Sequence, residues 1–385
     1  MPIRLRETLR YFARFNVGYL LVLAVLSLTL IGMVVLTSAG HGLATDPYYY
    51  FKKQITWLGV ALVAGAVAAV VDLEKLRKLA FPIFGLSVVV LILVLIPGIG
   101  TSVKGAQRWI DLGPFNLQVS DPARLAIVFC LAHYLAANQR QIETFKRGYL
   151  IPMGMLGLLC FLIVLQPDLG TTALCGAVGF GMLFLAGVRW LYLVPTVAMG
   201  MAAFAGAVYI DMVYLHGNRL RRILAFLDPE GNKLGDFYQA WQGMLAFVAG
   251  GVYGVGLGNG RQQHNFLPEA HTDFIFPIIG EEMGLVFSGA VVLLFFGIFV
   301  CCFNALRKAP NLFQFLIVAG SLLFITLQAL INMGVVTGML PTKGMSLPFI
   351  SYGGSNLVVM FVLVGLIINC FRTWAEPPLK RTREI

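Results

Sequence analysis

The stretch Val17–Ser38, VGYLLVLAVLSLTLIGMVVLTS, runs for 22 residues without a charge. A bilayer's hydrocarbon core is about 30 Å thick and takes about 20 helical residues, so this run is long enough to cross it. Arg4, Arg6, Arg10 and Arg14 precede it. A signal-peptide core is only about 7–15 residues long, so the run is expected to remain as a first span.

Outward from this run the pattern repeats. Apolar runs between charged or Gly/Pro breaks give ten candidate spans, at 17–38, 55–71, 80–97, 122–137, 148–165, 170–187, 190–210, 274–303, 312–337 and 349–371. The expected fold class is an all-α polytopic membrane protein. Its parts are a cytoplasmic N-terminus (1–16), one ten-span domain (17–371) with a large extracytoplasmic loop at 211–273 between spans 7 and 8, and a basic cytoplasmic tail (372–385). Composition agrees: 58% of the 385 residues are hydrophobic and 12% charged, too few charges to coat a soluble globule. The net charge of +10 is scattered in short clusters between spans, which argues against a nucleic-acid partner. With the N-terminus inside, 17 of the 28 Lys and Arg residues face the cytoplasm, and five of the other 11 lie in the long loop, whose charge barely influences orientation. The six cysteines lie in or beside apolar runs with no CxxC pair, and are expected to form neither disulfides nor a metal site.

Four polar segments converge on the outer side by topology: Val103–Arg124, Gln166–Thr171, the long loop, and Leu340–Asn356. Charge gathered on one face of a bundle suggests a site. In the loop, Arg219, Arg221 and Arg222 suit phosphate, since a guanidinium can bind two oxygens at once. Anchoring to lipid headgroups would satisfy the same residues. Trp241–Gly258, WQGMLAFVAGGVYGVGLG, reads as a re-entrant or interfacial helix.

The densest segment is Phe266–Gly284, FLPEAHTDFIFPIIGEEMG. Glu269, His271 and Asp273 stand just before an apolar span, where partial desolvation raises a carboxylate's pKa toward a value useful for a base. By pattern alone, Thr272 or Asp273 capping the span's first turn is the favoured reading. Glu281 and Glu282 are expected to pair with a basic residue of another helix. With Gln328 and Asn332 they make up a thin inner-half polar inventory. His133 and His264 have no evident partner.

Four stretches, GAQRWIDLG, QPDLGTT, LPEAHTDFIFPIIGEEMG and PTKGMSLPFISYGGS, resemble the SEDS family of bacterial cell-wall proteins, named for shape, elongation, division and sporulation. The Lys of PTKG makes the likeness stronger to the division branch than to the elongation branch. The chain departs from the family at Asp121 and Arg124, where QPSE followed by a Lys is usual, and at GNGRQQHNFLPE, where a Lys and a Tyr are usual.

The resemblance implies a peptidoglycan glycosyltransferase polymerising lipid II on the outer face of the bacterial cytoplasmic membrane, at the division septum. It further implies a class B penicillin-binding protein, a transpeptidase, as partner, alongside other divisome membrane proteins. Asp273 would be the catalytic residue, and Lys104 and Arg108 the family's outer basic residues. Arg219, Arg221, Arg222, Glu269, His271, Lys343 and Ser351 complete the candidate substrate-binding set. In such a reaction an acceptor hydroxyl attacks the donor's anomeric carbon and polyprenyl pyrophosphate leaves. Asp273 would take the proton, and the basic residues, with a divalent cation such as Mg or Mn, would receive the leaving charge. A lipid II flippase and a non-catalytic scaffold for a penicillin-binding protein are the alternative functions. A flippase needs a polar path to the inner side, and a scaffold would tolerate loss of Asp273.

Overall fold

A computed structural model of the chain describes residues 3–40, 46, 48–103, 106–111, 113, 116–214, 218–262 and 267–375. Long apolar helices dominate: α1 (Ile3–Ala39), α2 (Tyr49–Val70), α3 (Leu73–Lys78), α4 (Ala80–Leu93), α5 (Ser120–Ala137), α6 (Ile151–Leu165), α7 (Leu169–Leu185), α8 (Trp190–Tyr214), α9 (Asn218–Leu227), α10 (Tyr238–Gly250), α11 (Ile275–Leu306), α12 (Leu312–Val336) and α13 (Gly354–Ala375). Helices are the natural element for such a sequence, because they satisfy every backbone polar group internally where no water is at hand. Among the described residues, seven helical stretches are long and apolar enough to cross a bilayer: Val17–Ala39, Tyr49–Val70, Phe145–Leu165, Trp190–Val213, Ile275–Leu306, Leu312–Val336 and Gly354–Trp374. α4 and α7 are apolar but shorter.

The all-α expectation needs one correction. Between α4 and α5 the chain forms a three-stranded antiparallel sheet of β1 (Thr101–Val103), β2 (Ala106–Asp111) and β3 (Asn116–Gln118). Trp109 faces Thr101 on one side and Gln118 on the other. After β2, Asp111 accepts the Gly113 N–H at 2.8 Å, an Asx turn that helps reverse the chain. Two of the strands are three residues long, too short to leave a legible two-residue period.

The centre of the bundle is built by α5, α12 and α13, whose facing side chains are mostly buried. α2 and α13 cross closely: a Cβ on Gly365 would strike the Gly65 carbonyl, and one on Gly65 would lie 2.9 Å from the Phe361 carbonyl. Small residues let helix backbones approach where dispersion is the main attraction. α8 stands apart, with 6% of its apolar window buried.

α11 is broken at Gly284, where φ is 74°. Into the break fits the turn after α10: Leu285 and Val286 N–H groups donate to the Gly251 and Val252 carbonyls, and Val255 and Gly256 N–H groups donate to the Glu281 and Glu282 carbonyls. Irregular backbone at this depth is tolerated because protein covers it. Trp241–Gly258 is thus a stretch of helix followed by a glycine turn docked on α11.

Candidate functional site

Loop segments from four parts of the chain meet at one end of the bundle. From β2, Arg108 brings its guanidinium to 3.5 Å from Asp168 Oδ2, and Gln118 of β3 donates to the same oxygen at 3.3 Å. Asp168 is the N-cap of α7, accepting the Thr171 N–H at 3.1 Å and its hydroxyl at 2.8 Å. The carboxylate is thereby held by helix-end donors and by the positive end of the helix dipole. Lys343 reaches the same turn, since a Cβ on Gly170 would collide with Lys343 Cε. The next residue, Gly344, lies against Asp273, because a Cβ there would collide with Asp273 Oδ2. Arg108, Asp168, Lys343 and Asp273 thus form one run of neighbours drawn from the four predicted segments.

Neither Thr272 nor Asp273 caps α11, which corrects that reading. The N-cap residue is Phe274, with no side-chain cap. The Thr272 hydroxyl donates instead to the Glu269 carboxylate at 2.8 Å. The cause is a tight turn at Glu269, whose φ is 59° and whose carbonyl takes the N–H groups of Thr272 and Phe274. A non-glycine residue in this region stores roughly 1–3 kcal/mol of strain, and such strain tends to gather at functional sites. His271 packs its ring 4.3 Å from Tyr50 and 5.9 Å from Tyr352. The Ser351 hydroxyl accepts the Leu347 N–H at 2.7 Å, and Gln54 of α2 spans the Ser351 carbonyl and the Gly353 N–H. His271 and Ser351 therefore shape the loops that carry the site.

Beneath this run lies a buried polar network. Arg124 pairs with Asp121 at 3.1 Å and donates to Gln328 at 2.9 Å and Asn356 at 2.8 Å, while Ser355 donates to Asp121. Removing one partner of a buried pair typically costs about 3–5 kcal/mol, so the Asp–Arg pair that departs from the family pattern remains a structural bond here. Gln328 continues the network to the Ser346 carbonyl at 2.8 Å, and Asn332 donates to the carbonyls of Asp273 and Met345. Gln328 and Asn332 thus belong to the loop end of α12 and not to an inner-half inventory. Four residues separating them on an apolar helix put both on one face, a signal the sequence did carry.

Glu281 and Glu282 are buried, and backbone N–H groups and a hydroxyl converge on their carboxylates. Glu281 accepts the N–H groups of Arg261, at 2.9 Å, and Gln262, and Glu282 accepts the Gly258 N–H at 3.0 Å and the Ser38 hydroxyl. Hydrogen bonds from backbone donors to an ionised carboxylate are charge-assisted and stronger than neutral ones. Of the basic loop residues, Arg221 forks onto Asp236 at 2.9 and 3.3 Å, and Arg222 is exposed on the same helix. Lys104, His264 and the Arg219 side chain lie outside the described residues. Among the described residues, no three His, Cys, Asp or Glu side chains gather as a metal site.

The geometry defines a class: a helical membrane protein with a carboxylate and basic residues gathered over a buried polar network. Residues 19–374 match the model of the FtsW/RodA/SpoVE family of cell cycle proteins, and the chain belongs to that family, on its FtsW side. A probable peptidoglycan glycosyltransferase FtsW from Trichlorobacter lovleyi is 39% identical over 353 residues, 91% of each chain. Its counterpart from Methylococcus capsulatus is 39% identical over 365 residues, 92% of this chain and 90% of that one. Among solved structures, the rod shape determining protein RodA of Thermus thermophilus matches with a TM-score of 0.68 at 26% identity, covering 93% of this chain and 97% of that one. A chain from a peptidoglycan synthase complex, described as coordinating polymerization and crosslinking, matches with a TM-score of 0.74 at 27% identity, covering 93% and 98%.

Proposed function

We propose that the chain is a peptidoglycan glycosyltransferase that polymerises lipid II into glycan strands during septal wall synthesis. The observation that carries this reading is the placement of Asp273, against Gly344 and beside the segment that carries Lys343, with Arg108 and Asp168 next in line. In this mechanism Asp273 takes the proton of the acceptor sugar hydroxyl as its oxygen bonds to the donor's anomeric carbon. The bond to the polyprenyl pyrophosphate breaks, and Lys343 and Arg108 receive its negative charge. A Mg or Mn ion suits this scheme as a companion of the pyrophosphate, since Mg is commonly held by one or two carboxylates plus substrate phosphates.

The reading includes ten membrane spans, supported by the overlap of α1, α2, α4 to α8 and α11 to α13 with the ten apolar runs. The site faces outward and both termini inward, by the distribution of basic residues. Cysteines placed in 228–236 should then label from outside intact cells and cysteines placed at 140–147 should not; reversed labelling would sink the orientation. A class B penicillin-binding protein is the proposed partner, supported by the likeness to a chain of a synthase complex.

The flippase alternative asks for a polar path to the other side. Below the network, residues 357–368 of α13 carry no polar side chain, and 125–132 of α5 none beyond Cys130. Twelve helical residues span about 18 Å, an expensive gap for a headgroup to cross. The test of the enzyme reading is polymerisation of purified lipid II by the purified chain, with and without the partner and divalent metal. If glycan forms in none of these mixtures, the enzyme reading fails, and the scaffold becomes the better account.

A further inference from the structure

α12 is apolar almost throughout, yet it carries Gln328 and Asn332 one turn apart, 0% and 1% exposed. Asn332 directs Nδ2 to two carbonyl oxygens, that of Asp273 at 2.7 Å and that of Met345 at 2.6 Å. Two carbonyl partners fix which way the carboxamide points, because a carbonyl can only accept. Neither carbonyl belongs to a helix: Asp273 lies in the turn before α11, and Met345 in the irregular segment between α12 and α13. One turn away, Gln328 takes the adjacent Ser346 carbonyl at 2.8 Å while its own oxygen accepts from Arg124. Consecutive carbonyls of one irregular segment are thus held by consecutive turns of one helix, and Asn332 ties in the Asp273 backbone as well.

We propose that Asn332 is a positioning residue, a crossbar that fixes the spacing between the Asp273 turn and the irregular segment bearing Lys343. This rests on the glycosyltransferase reading, in which Asp273 acts on one reacting group and Lys343 on the other. The two side chains sit on separate loops. Gly344, packed against Asp273, leaves no Cβ to wedge the loops apart or together. The bonds from Asn332 are a direct tie between the two backbones. Misplacing a reacting group by about 1 Å can cost about a hundredfold in rate, so loosening this tie should act on turnover. It leaves the charges that hold substrate in place.

Two variants of the full-length protein test this, Asn332→Ala and Asn332→Asp, assayed with lipid II and the partner. Turnover is expected to fall by roughly tenfold or more while KM stays within about twofold. In N332D a protonated Asp donates one hydrogen bond and an ionised one donates none. Its activity relative to wild type should therefore decline as pH rises, whereas the ratio for N332A stays flat. Independently of activity, backbone hydrogen exchange in N332A should speed up in both 267–274 and 343–350, while Gln328→Ala loosens 343–350 alone. Turnover within twofold of wild type in both variants, or exchange that rises in neither or only one of those segments in N332A, would overturn the inference. If the wild type makes no glycan, the glycosyltransferase reading fails, and the exchange pattern by itself decides whether Asn332 holds the two loops together.

Discussion

At the residue scale, Asp273 is set apart from the residues around it by its place against Gly344, on the segment that carries Lys343. It does not cap α11, since Phe274 holds that position, and the nearby Thr272 hydroxyl is taken by Glu269. Asp273→Asn keeps the shape and deletes the base, so polymerisation of lipid II should drop to background while membrane insertion and co-purification with the partner persist. The measurement is glycan length on a gel beside a thermal melt of the same sample. Wild-type glycan from the variant would remove Asp273 from its role. The acidic and basic character of the site was legible because charged residues at a membrane boundary stand out against apolar runs. Gln328 and Asn332 read from the sequence as inner-half residues, whereas they serve the loop end of α12. Neutral amides carry no sidedness in a sequence, and only the fold, by bringing 345–346 back onto α12, shows which end they serve.

At the element scale, the same limit appears in α11. Its run of apolar residues reads as one long span, yet Gly284 breaks it and the turn after α10 fills the gap. Periodicity reports which residues avoid water and is silent on where a helix lends its backbone bonds to another segment. The short sheet escaped for a related reason, its strands being too brief to show a pattern. Glycines divide sharply by position. Gly365 of α13 faces the Gly65 carbonyl of α2, whereas nothing lies within 4 Å of a Cβ built on Gly297 of α11. Gly365→Val should therefore force α2 and α13 apart and cost about 1–3 kcal/mol, as overpacking does. Gly297→Ala should be neutral or slightly stabilising, because alanine favours a helix by up to about 1 kcal/mol over glycine. Thermal unfolding in one detergent compares the two; equal melting temperatures would mean the α2–α13 crossing is looser than the structure has it.

At the scale of the whole molecule, the bundle is well packed around α5, α12 and α13 and sparsely packed at its margins. α8 barely touches the rest, and α11 beyond its break turns Leu285, Val286, Leu293, Phe296 and Phe303 outward. The ten runs of sequence gave no hint of this unevenness, since hydropathy is the same whether a side chain meets lipid or another helix. Lipid covers such faces adequately, and a single-span partner can cover them as well, with α11 as the proposed contact. A partner changes activity only if it binds two arrangements of the bundle unequally, and a shift from about 1:99 to 99:1 requires a 10⁴-fold difference in affinity. Helices held mainly by lipid are the ones able to differ between arrangements at that energy. The expected result is that a class B penicillin-binding protein co-purifies with this chain and raises its rate of lipid II polymerisation, and that Phe296→Ala together with Phe303→Ala weakens both effects. Full activity of the isolated chain, unchanged by the partner, would refute activation and leave the chemistry at Asp273 standing, because positioning a base and shifting a helix are separate physical acts.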